Sequence, residues 1–217
     1  MKPLEKVIIS IMVGVNLLGL FFAFYDQSFF EESYMREDGF VEYGTAVFFL
    51  VSSIIAFIYA FKLKGNKKGL FFPVTFFIGI LFFFVAGEEV SWGQRMFEVK
   101  SSEFFEENNA QGETNLHNLT VNGVKINKLI FGQLLSIGIL VYMLVFPILY
   151  DRKEPFKNFI DKFYIPLPQR HTVIAFVGTA MVILIIQASR KWELLELSAA
   201  LSAFIIMLFP KNGFIYK

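Results

Sequence analysis

Six long apolar stretches, separated by short polar or charged segments, dominate this chain. A helix needs about 20 mainly apolar residues to cross the hydrocarbon core of a bilayer. The strand-like alternation that a membrane barrel requires is absent from these stretches. The pattern therefore predicts an all-α polytopic helical bundle, with residues 1–217 as a single integral membrane domain. The six predicted transmembrane helices cover about 7–25, 41–61, 70–87, 129–150, 172–188 and 194–209.

The composition agrees with a membrane protein and restricts the possible chemistry. Apolar residues make up 55% of the chain, and 29 of its 217 residues are Phe. The net charge of +1 excludes a nucleic-acid binder driven by overall basicity. There is no Cys, which excludes disulfides, thiolate metal sites and cysteine nucleophiles. Since only two His are present, any metal site must rely mainly on carboxylates.

Charged residues are distributed unevenly over the predicted loops. The loops on the side of the N-terminus carry 13 bases and 4 acids, a net charge of +9, whereas the other side carries 7 bases and 15 acids, a net charge of −8. The positive-inside rule places the basic side in the cytoplasm. We therefore expect both termini to be cytoplasmic and the polar loop 88–127 to lie on the outer face of the membrane.

The start of this polar loop carries two adjacent acids at the membrane boundary. Glu88 and Glu89 end the third predicted span, so they lie about 27 Å along a helix that rises 1.5 Å per residue. Acids at this depth usually face the bundle or a cavity. If the helix continues to Phe97, Glu88, Trp92 and Arg95 share one face, and Arg95 pairs with Glu88 or holds an anionic substrate group. An ion-paired helix end with an interfacial Trp is the alternative.

The segment QGETNLHNL is the second polar element of the loop. Glu113 and His117 are four residues apart, which is the spacing of metal ligands if this segment is helical. Nearby amide side chains suit hydrogen bonding to sugars or phosphates. A polar helix lying on the membrane is the alternative. The candidate substrate-binding residues of the loop are Trp92, Gln94, Arg95, Asn108, Gln111, Asn115 and Asn118.

Acids from other spans are expected at the same depth as these loop residues. Glu42 opens the second span and Glu196 opens the sixth, so a bundle that joins spans two, three and six would bring their carboxylates together. Such an oxygen-rich site would bind one or two divalent cations, with Zn, Mn, Mg and Ca not distinguished. Scattered acids that face lipid headgroups are the alternative. The candidate catalytic residues are Glu88, Glu89 and His117, and the candidate metal ligands are Glu42, Glu88, Glu89, Glu113, His117 and Glu196.

Two blocks, GEEVSWGQR and QGETNLHN, together resemble a group of uncharacterised polytopic bacterial membrane proteins. The resemblance covers roughly the middle third of the chain. It implies a protein of the bacterial cytoplasmic (inner) membrane and no particular activity.

The pair Glu88–Glu89 followed by Arg95 is also similar to the E-E-x-x-x-R motif of the CAAX-type glutamate intramembrane proteases. Five residues, not three, separate the pair from Arg95, and the family's later F-x-x-x-H and H-x-x-x-N motifs are not matched around His117. This likeness implies only paired glutamates that activate water at the membrane face.

Three functions remain open from the sequence. The first is a divalent-metal-dependent hydrolase or transferase that acts on a lipid or lipid-linked substrate at the outer leaflet. The second is a transporter or channel for a cation or small solute, although the inner halves of the helices carry almost no polar residue except Asn16. The third is a non-catalytic scaffold subunit. All three have the lipid bilayer as a partner, and none involves nucleic acid.

Overall fold

The computed structural model describes residues 1–65, 67, 69–116, 118–121, 124–125 and 134–217. These residues are mainly helical, with one two-stranded hairpin in which β1 (Thr120–Val121) pairs antiparallel with β2 (Val124–Lys125). Short helical turns occur at Gln27–Phe29, Phe30–Tyr34, Ser91–Gly93, Ser189–Lys191 and Gly213–Tyr216. The helices are α1 (Pro3–Tyr25), α2 (Phe40–Leu63), α3 (Phe71–Glu89), α4 (Glu103–Asn108), α5 (Leu135–Arg152), α6 (Glu154–Lys162), α7 (Arg170–Ile185) and α8 (Trp192–Leu208).

Each of the six predicted spans coincides with one of these helices. In the described part of the chain, α1, α2, α3 and α5 are long and apolar enough to cross a membrane. Helix α7 is apolar but has 16 residues, and α8 has 17. Residues 129–133 of the fourth predicted span lie outside the described residues. The helical, multi-pass part of the prediction is supported, and membrane crossing by α7 and α8 stays a prediction.

The outward faces of the helices are strongly apolar. Ile11, Ile58, Phe77 and Met181 lie on four different helices, and each is exposed by 47% or more. Exposed apolar surface of this extent marks contact with a membrane or a partner. The hydrophobic residues of this chain therefore cover its outside as well as its core, as expected for a bundle solvated by lipid.

Helix α8 lies at the centre of the bundle, where it packs against α1, α2 and α7. Its buried positions include both large and small side chains, such as Leu201, Ile205, Ser198 and Ala200. Small residues allow neighbouring helices to approach closely in a membrane, where packing replaces the hydrophobic effect as the driving force. Because α8 is central, the acids at its start lie among the ends of the neighbouring helices.

Helices α2 and α3 form a tight antiparallel pair. The Ser53 hydroxyl donates a hydrogen bond of 2.7 Å to the carbonyl oxygen of Gly79. The ring of Phe57 covers the same glycine so closely that a Cβ atom there would lie 2.7 Å from it. Because the pair is antiparallel, Glu42 near the start of α2 and Glu89 at the end of α3 reach the same end of the bundle.

Both chain termini lie at the opposite end. The Lys2 ammonium lies 4.7 Å from the centre of the Phe209 ring, just after α8, and the Tyr216 ring stacks on Tyr59 near the end of α2. The basic loops are at this end as well. Which side of the membrane each end faces stays a prediction from the charge distribution.

We expect Gly79→Ala to lower the free energy of unfolding by about 1–3 kcal/mol, because the added methyl group collides with the Phe57 ring in a close-packed contact. Gly14→Ala in α1 is the matched control, since a Cβ atom at Gly14 meets no other atom within 4 Å. Unfolding in mixed micelles, followed by circular dichroism, measures both. Equal stability of the two variants would contradict the tight α2–α3 contact.

Candidate functional site

A polar cavity of about 240 Å³ lies at the end of the bundle where α3 ends and where α2 and α8 begin. Seven carboxylates line it, against two guanidinium groups, so the formal charge of its walls is strongly negative. One hydroxyl and three amides complete the lining. The lining residues are Glu37, Glu42, Glu88, Glu89, Ser91, Arg95, Gln111, Glu113, Asn115, Asn118, Arg190, Glu193 and Glu196.

The structure brings all five predicted carboxylates to this one cavity. They come from α2 (Glu42), α3 (Glu88 and Glu89), the loop (Glu113) and α8 (Glu196). The sixth predicted metal ligand, His117, lies outside the described residues. In the part of the chain that the structure describes, no group of three or more acids or histidines has the geometry of a metal site. The acids therefore surround a shared space without closing on one point.

Helix α3 ends at Glu89, so the continuation to Phe97 that would place Glu88, Trp92 and Arg95 on one helical face does not occur. Ser91, Trp92 and Gly93 have φ angles of 46°, 56° and 77°, which form a left-handed turn that L-residues seldom adopt. This turn reverses the chain and removes the predicted helical face of Glu88, Trp92 and Arg95.

Trp92 nevertheless reaches Glu88 by folding back over the helix end. Its indole N–H donates a hydrogen bond of 2.8 Å to Glu88 Oε1. Its ring lies so close over Gly87 that a Cβ atom there would be 2.7 Å away. Trp92 does not line the cavity, and its contacts hold the left-handed turn in place.

Glu88 fastens the loop to the end of α3. Only 7% of the residue is exposed. Its Oε1 accepts the hydrogen bond of Trp92, and its Oε2 accepts one of 2.6 Å from the backbone N–H of Leu116. Hydrogen bonds to a carboxylate are stronger than those between neutral groups. Both oxygens of this side chain therefore have structural partners already.

Arg95 is the centre of an ion-pair cluster. Its Nη2 lies 2.7 Å from Glu42 and 3.0 Å from Asp38, and its Nη1 lies 2.9 Å from Glu37 and 3.0 Å from Glu113. Partial burial by itself lowers the pKa of the guanidinium, but the carboxylates of Glu113, Glu42 and Asp38 outweigh it and raise that pKa above its ordinary value. Arg95 is therefore a permanent cation that binds the protein's own acids.

The second arginine of the cavity is engaged in the same way. Arg190 lies 3.3 Å from the Glu37 carboxylate, and it donates a hydrogen bond of 3.1 Å to the carbonyl oxygen of Met35. Both guanidinium groups thus bind parts of the protein. The net charge that a ligand would encounter in the cavity is therefore negative.

A network of short polar side chains positions Glu113. The Ser91 hydroxyl donates to Glu113 and accepts a hydrogen bond of 2.8 Å from the Asn115 amide. Asn109 binds Asn115 Oδ1 at 2.9 Å and accepts from the backbone N–H of Glu113 at 3.2 Å. The described part of the segment, 109–116, forms turns and bends, with a bridge from Asn109 to residue 119. Residues 109–116 therefore do not form the helix that was considered for this segment.

Glu89 differs from the other acids of the cavity. Within the described residues it forms no hydrogen bond or ion pair, although it lies in the electrostatic field of Glu196, Glu193, Glu42 and Glu88. The side chains of Glu193 and Glu196 are themselves in hydrogen-bonding contact. Carboxylates held this close cannot all stay charged without a proton or a cation between them.

Besides Trp92, two further predicted substrate-binding residues, Gln94 and Asn108, do not line the cavity. Gln94 accepts a hydrogen bond of 2.6 Å from the backbone N–H of Thr114 and donates one of 2.7 Å to Ser101, so it ties the loop together. Asn108 donates to the carbonyl oxygen of Phe104 in its own helix, α4.

Sequence reasoning also missed four of the residues that line the cavity. Glu37 and Glu193 lie at the same predicted depth as the predicted metal ligands. This shared depth could have identified them from the sequence. Ser91 lies inside the GEEVSWGQR block. Nothing in the sequence singles out Arg190.

Comparisons of this chain with family models, curated proteins and solved structures gave no match. The two sequence blocks described above both contribute to the cavity. GEEVSWGQR supplies Glu88, Glu89, Ser91 and Arg95, and QGETNLHN supplies Gln111, Glu113, Asn115 and Asn118.

We expect Arg95→Ala to lower the free energy of unfolding by about 1–3 kcal/mol, between the values for exposed and for buried ion pairs, because the cluster is only partly exposed. Four acids would then repel one another without a counter-charge. Arg36→Ala is the control, because Arg36 is exposed and forms no ion pair within the described residues. Unfolding in mixed micelles measures the difference, and similar values for the two variants would show that the cluster does not stabilise the fold.

Proposed function

We propose that this chain is a six-span protein of the bacterial inner membrane that binds a divalent cation in its acid-lined cavity. There it hydrolyses, or transfers a group from, a lipid or lipid-linked substrate at the outer leaflet. The observation that carries this proposal is the meeting of seven carboxylates around one cavity whose two arginines are already paired within the protein. The resemblance of the two sequence blocks is the support for a bacterial protein.

The charge of the cavity favours a cation as the first ligand. With Arg95 and Arg190 engaged, an anionic group would be repelled by Glu89 and its neighbouring carboxylates, whereas a cation would relieve the repulsion between them. Carboxylate oxygens are the ligands that Mg²⁺, Ca²⁺ and Mn²⁺ prefer, and an imidazole from His117 would extend the choice to Zn²⁺. Glu89 and Glu196 are the leading candidate ligands, and Glu42, Glu113 and His117 are the candidates to complete the set, although Glu42 already binds Arg95 and the Asp38 N–H.

The local contacts divide the roles among the acids. Glu88 keeps both oxygens on Trp92 and the loop, so it positions its neighbours. Glu89 has no such partner within the described residues and is the candidate general base. When bound, a divalent cation would supply a nucleophile near neutral pH by acidifying its water. Glu89 would take up the proton released.

The position of the cavity suits a substrate with a headgroup. Glu88 and Glu89 end a helix of 19 residues, which is about 28 Å long and so spans most of the hydrocarbon core. The cavity then lies at headgroup depth. The chain termini and basic loops lie at the other end, and the positive-inside rule assigns that end to the cytoplasm.

Transport of a cation has weaker support. Two buried hydroxyls in the middle of α2 are bound to the backbone, as shown by the hydrogen bonds of Ser52 to Phe48 and of Ser53 to Gly79. A conducting path would need polar groups that are available to the ion. Ion flux into liposomes measures this alternative directly.

Glu89→Gln should weaken binding of Mn²⁺ to the purified protein by about tenfold or more, because it removes a charged ligand. Glu103→Gln is the matched control, since Glu103 is exposed on α4 outside the cavity. Spin-resonance titration with Mn²⁺ and elemental analysis give the affinity, and labelled lipids give the turnover. A wild-type protein that binds no divalent cation and turns over no lipid would refute the proposal.

Single cysteines test the orientation without interference, because the chain has no Cys of its own. Glu106 lies at the end of the bundle that contains the cavity, and Lys64 lies at the opposite end. Both side chains are exposed, so Glu106→Cys and Lys64→Cys report the two ends separately. In intact spheroplasts a membrane-impermeant maleimide should label only Glu106→Cys. Labelling of Lys64→Cys alone would reverse the orientation and place the cavity in the cytoplasm.

A further inference from the structure

The short helix α6 carries a row of aromatic rings at the end of the bundle that holds the chain termini. Phe156, Phe159 and Phe163 follow one another at helical spacing, and the centres of successive rings are 6.3 and 4.6 Å apart. Ile160 of the same helix is fully buried, whereas Phe159 is 47% exposed. The apolar surface of α6 therefore extends beyond the part that packs on the bundle.

Helix α6 folds back against the last turns of α5. The chain turns at Lys153, which has extended backbone angles between the two helices. The Phe156 ring then packs edge-on against Phe146 at 5.2 Å, and the Tyr150 hydroxyl donates a hydrogen bond of 2.9 Å to Asp161. Phe146 and Tyr150 lie in the last two turns of α5, which is long and apolar enough to cross a membrane. Both halves of α6 are thus held at the level where α5 leaves the hydrocarbon.

The charged side chains in and around α6 leave an excess of unpaired cations. Two of the three acids form ion pairs, since Asp151 lies 2.5 Å from Lys211 and Glu154 lies 3.9 Å from Lys157. The third acid accepts the hydrogen bond of Tyr150. Four exposed bases, by contrast, form no ion pair within the described residues. These bases are Arg152, Lys153, Lys162 and Arg170.

We propose that α6 lies in the membrane–water interface and binds anionic phospholipids of that leaflet. Lys162 is three residues after Phe159 and so lies beside it on the helix surface. The ring enters the acyl region, while the ammonium reaches the headgroups of the same lipids. The lipid-facing surface of α5 leads up to α6, because Ile148 is 51% exposed. Zwitterionic lipids match the apolar surface but leave the basic side chains without anions.

Spin labels on the full chain in nanodiscs test the position of α6, and no native Cys interferes with their attachment. Phe159→Cys places the label on the exposed apolar surface. Glu154→Cys is the matched control, because Glu154 is also exposed and lies about 140° away around the helix at 100° per residue. The label at position 159 should be relaxed more by oxygen, which concentrates in hydrocarbon, than by a water-soluble nickel chelate. The label at position 154 should show the reverse.

Two photoreactive lipids test the preference for negative charge. Phosphatidylglycerol and phosphatidylcholine carry the same diazirine-bearing acyl chain, and mass spectrometry measures the labelling of α6 in nanodiscs. Phosphatidylglycerol should label α6 about fivefold more for each base that contacts its headgroup. The combined change Lys153→Gln and Lys162→Gln should remove most of this preference. Lys62→Gln with Lys64→Gln is the matched control, since it removes two exposed bases from α2 at the same end of the bundle and should leave the labelling of α6 unchanged.

Four results would overturn the proposal. Equal labelling of α6 by the two lipids would show contact with any acyl chain. An equal loss of preference in the α2 control would assign it to the total charge of this end. Stronger relaxation by the nickel chelate at position 159 would place α6 in water, and disulfide-linked dimers of Phe159→Cys would show a protein contact instead. The comparison of the two lipids uses the wild-type chain, so a folding defect of a variant would not affect it.

Discussion

Close packing of acids at the edge of the hydrocarbon is the constraint on which the rest of this structure depends. Arg95 binds Glu37, Asp38 and Glu42 at the start of α2, and it binds Glu113 in the loop. The guanidinium thus joins two parts of the chain that would otherwise repel each other. Because the cluster is only partly exposed, water screens that repulsion incompletely, and the cation is needed for the loop to close over the bundle.

The Arg95 guanidinium does not neutralise every acid of the cavity. Glu89 and Glu196 lie close enough to Glu42 for its charge to act on both, and the side chains of Glu193 and Glu196 are in hydrogen-bonding contact. A left-handed turn after α3 fixes the position of Glu89, and Trp92 and Glu88 hold that turn. Within the described residues Glu89 is left without a hydrogen bond or ion pair among neighbouring carboxylates. The repulsion between these carboxylates is the physical basis for proposing a cation.

The sequence by itself determined the helices and the depth of their charged residues, since a bilayer imposes both a length and a polarity on each span. This is why Glu42, Glu88, Glu89, Glu113 and Glu196 could be placed at one level before any contact was known. Only the tertiary structure decided which groups pair. The four partners of Arg95 and the role of Arg190 depend on contacts between residues far apart in the chain, and helical periodicity carries no information about such contacts.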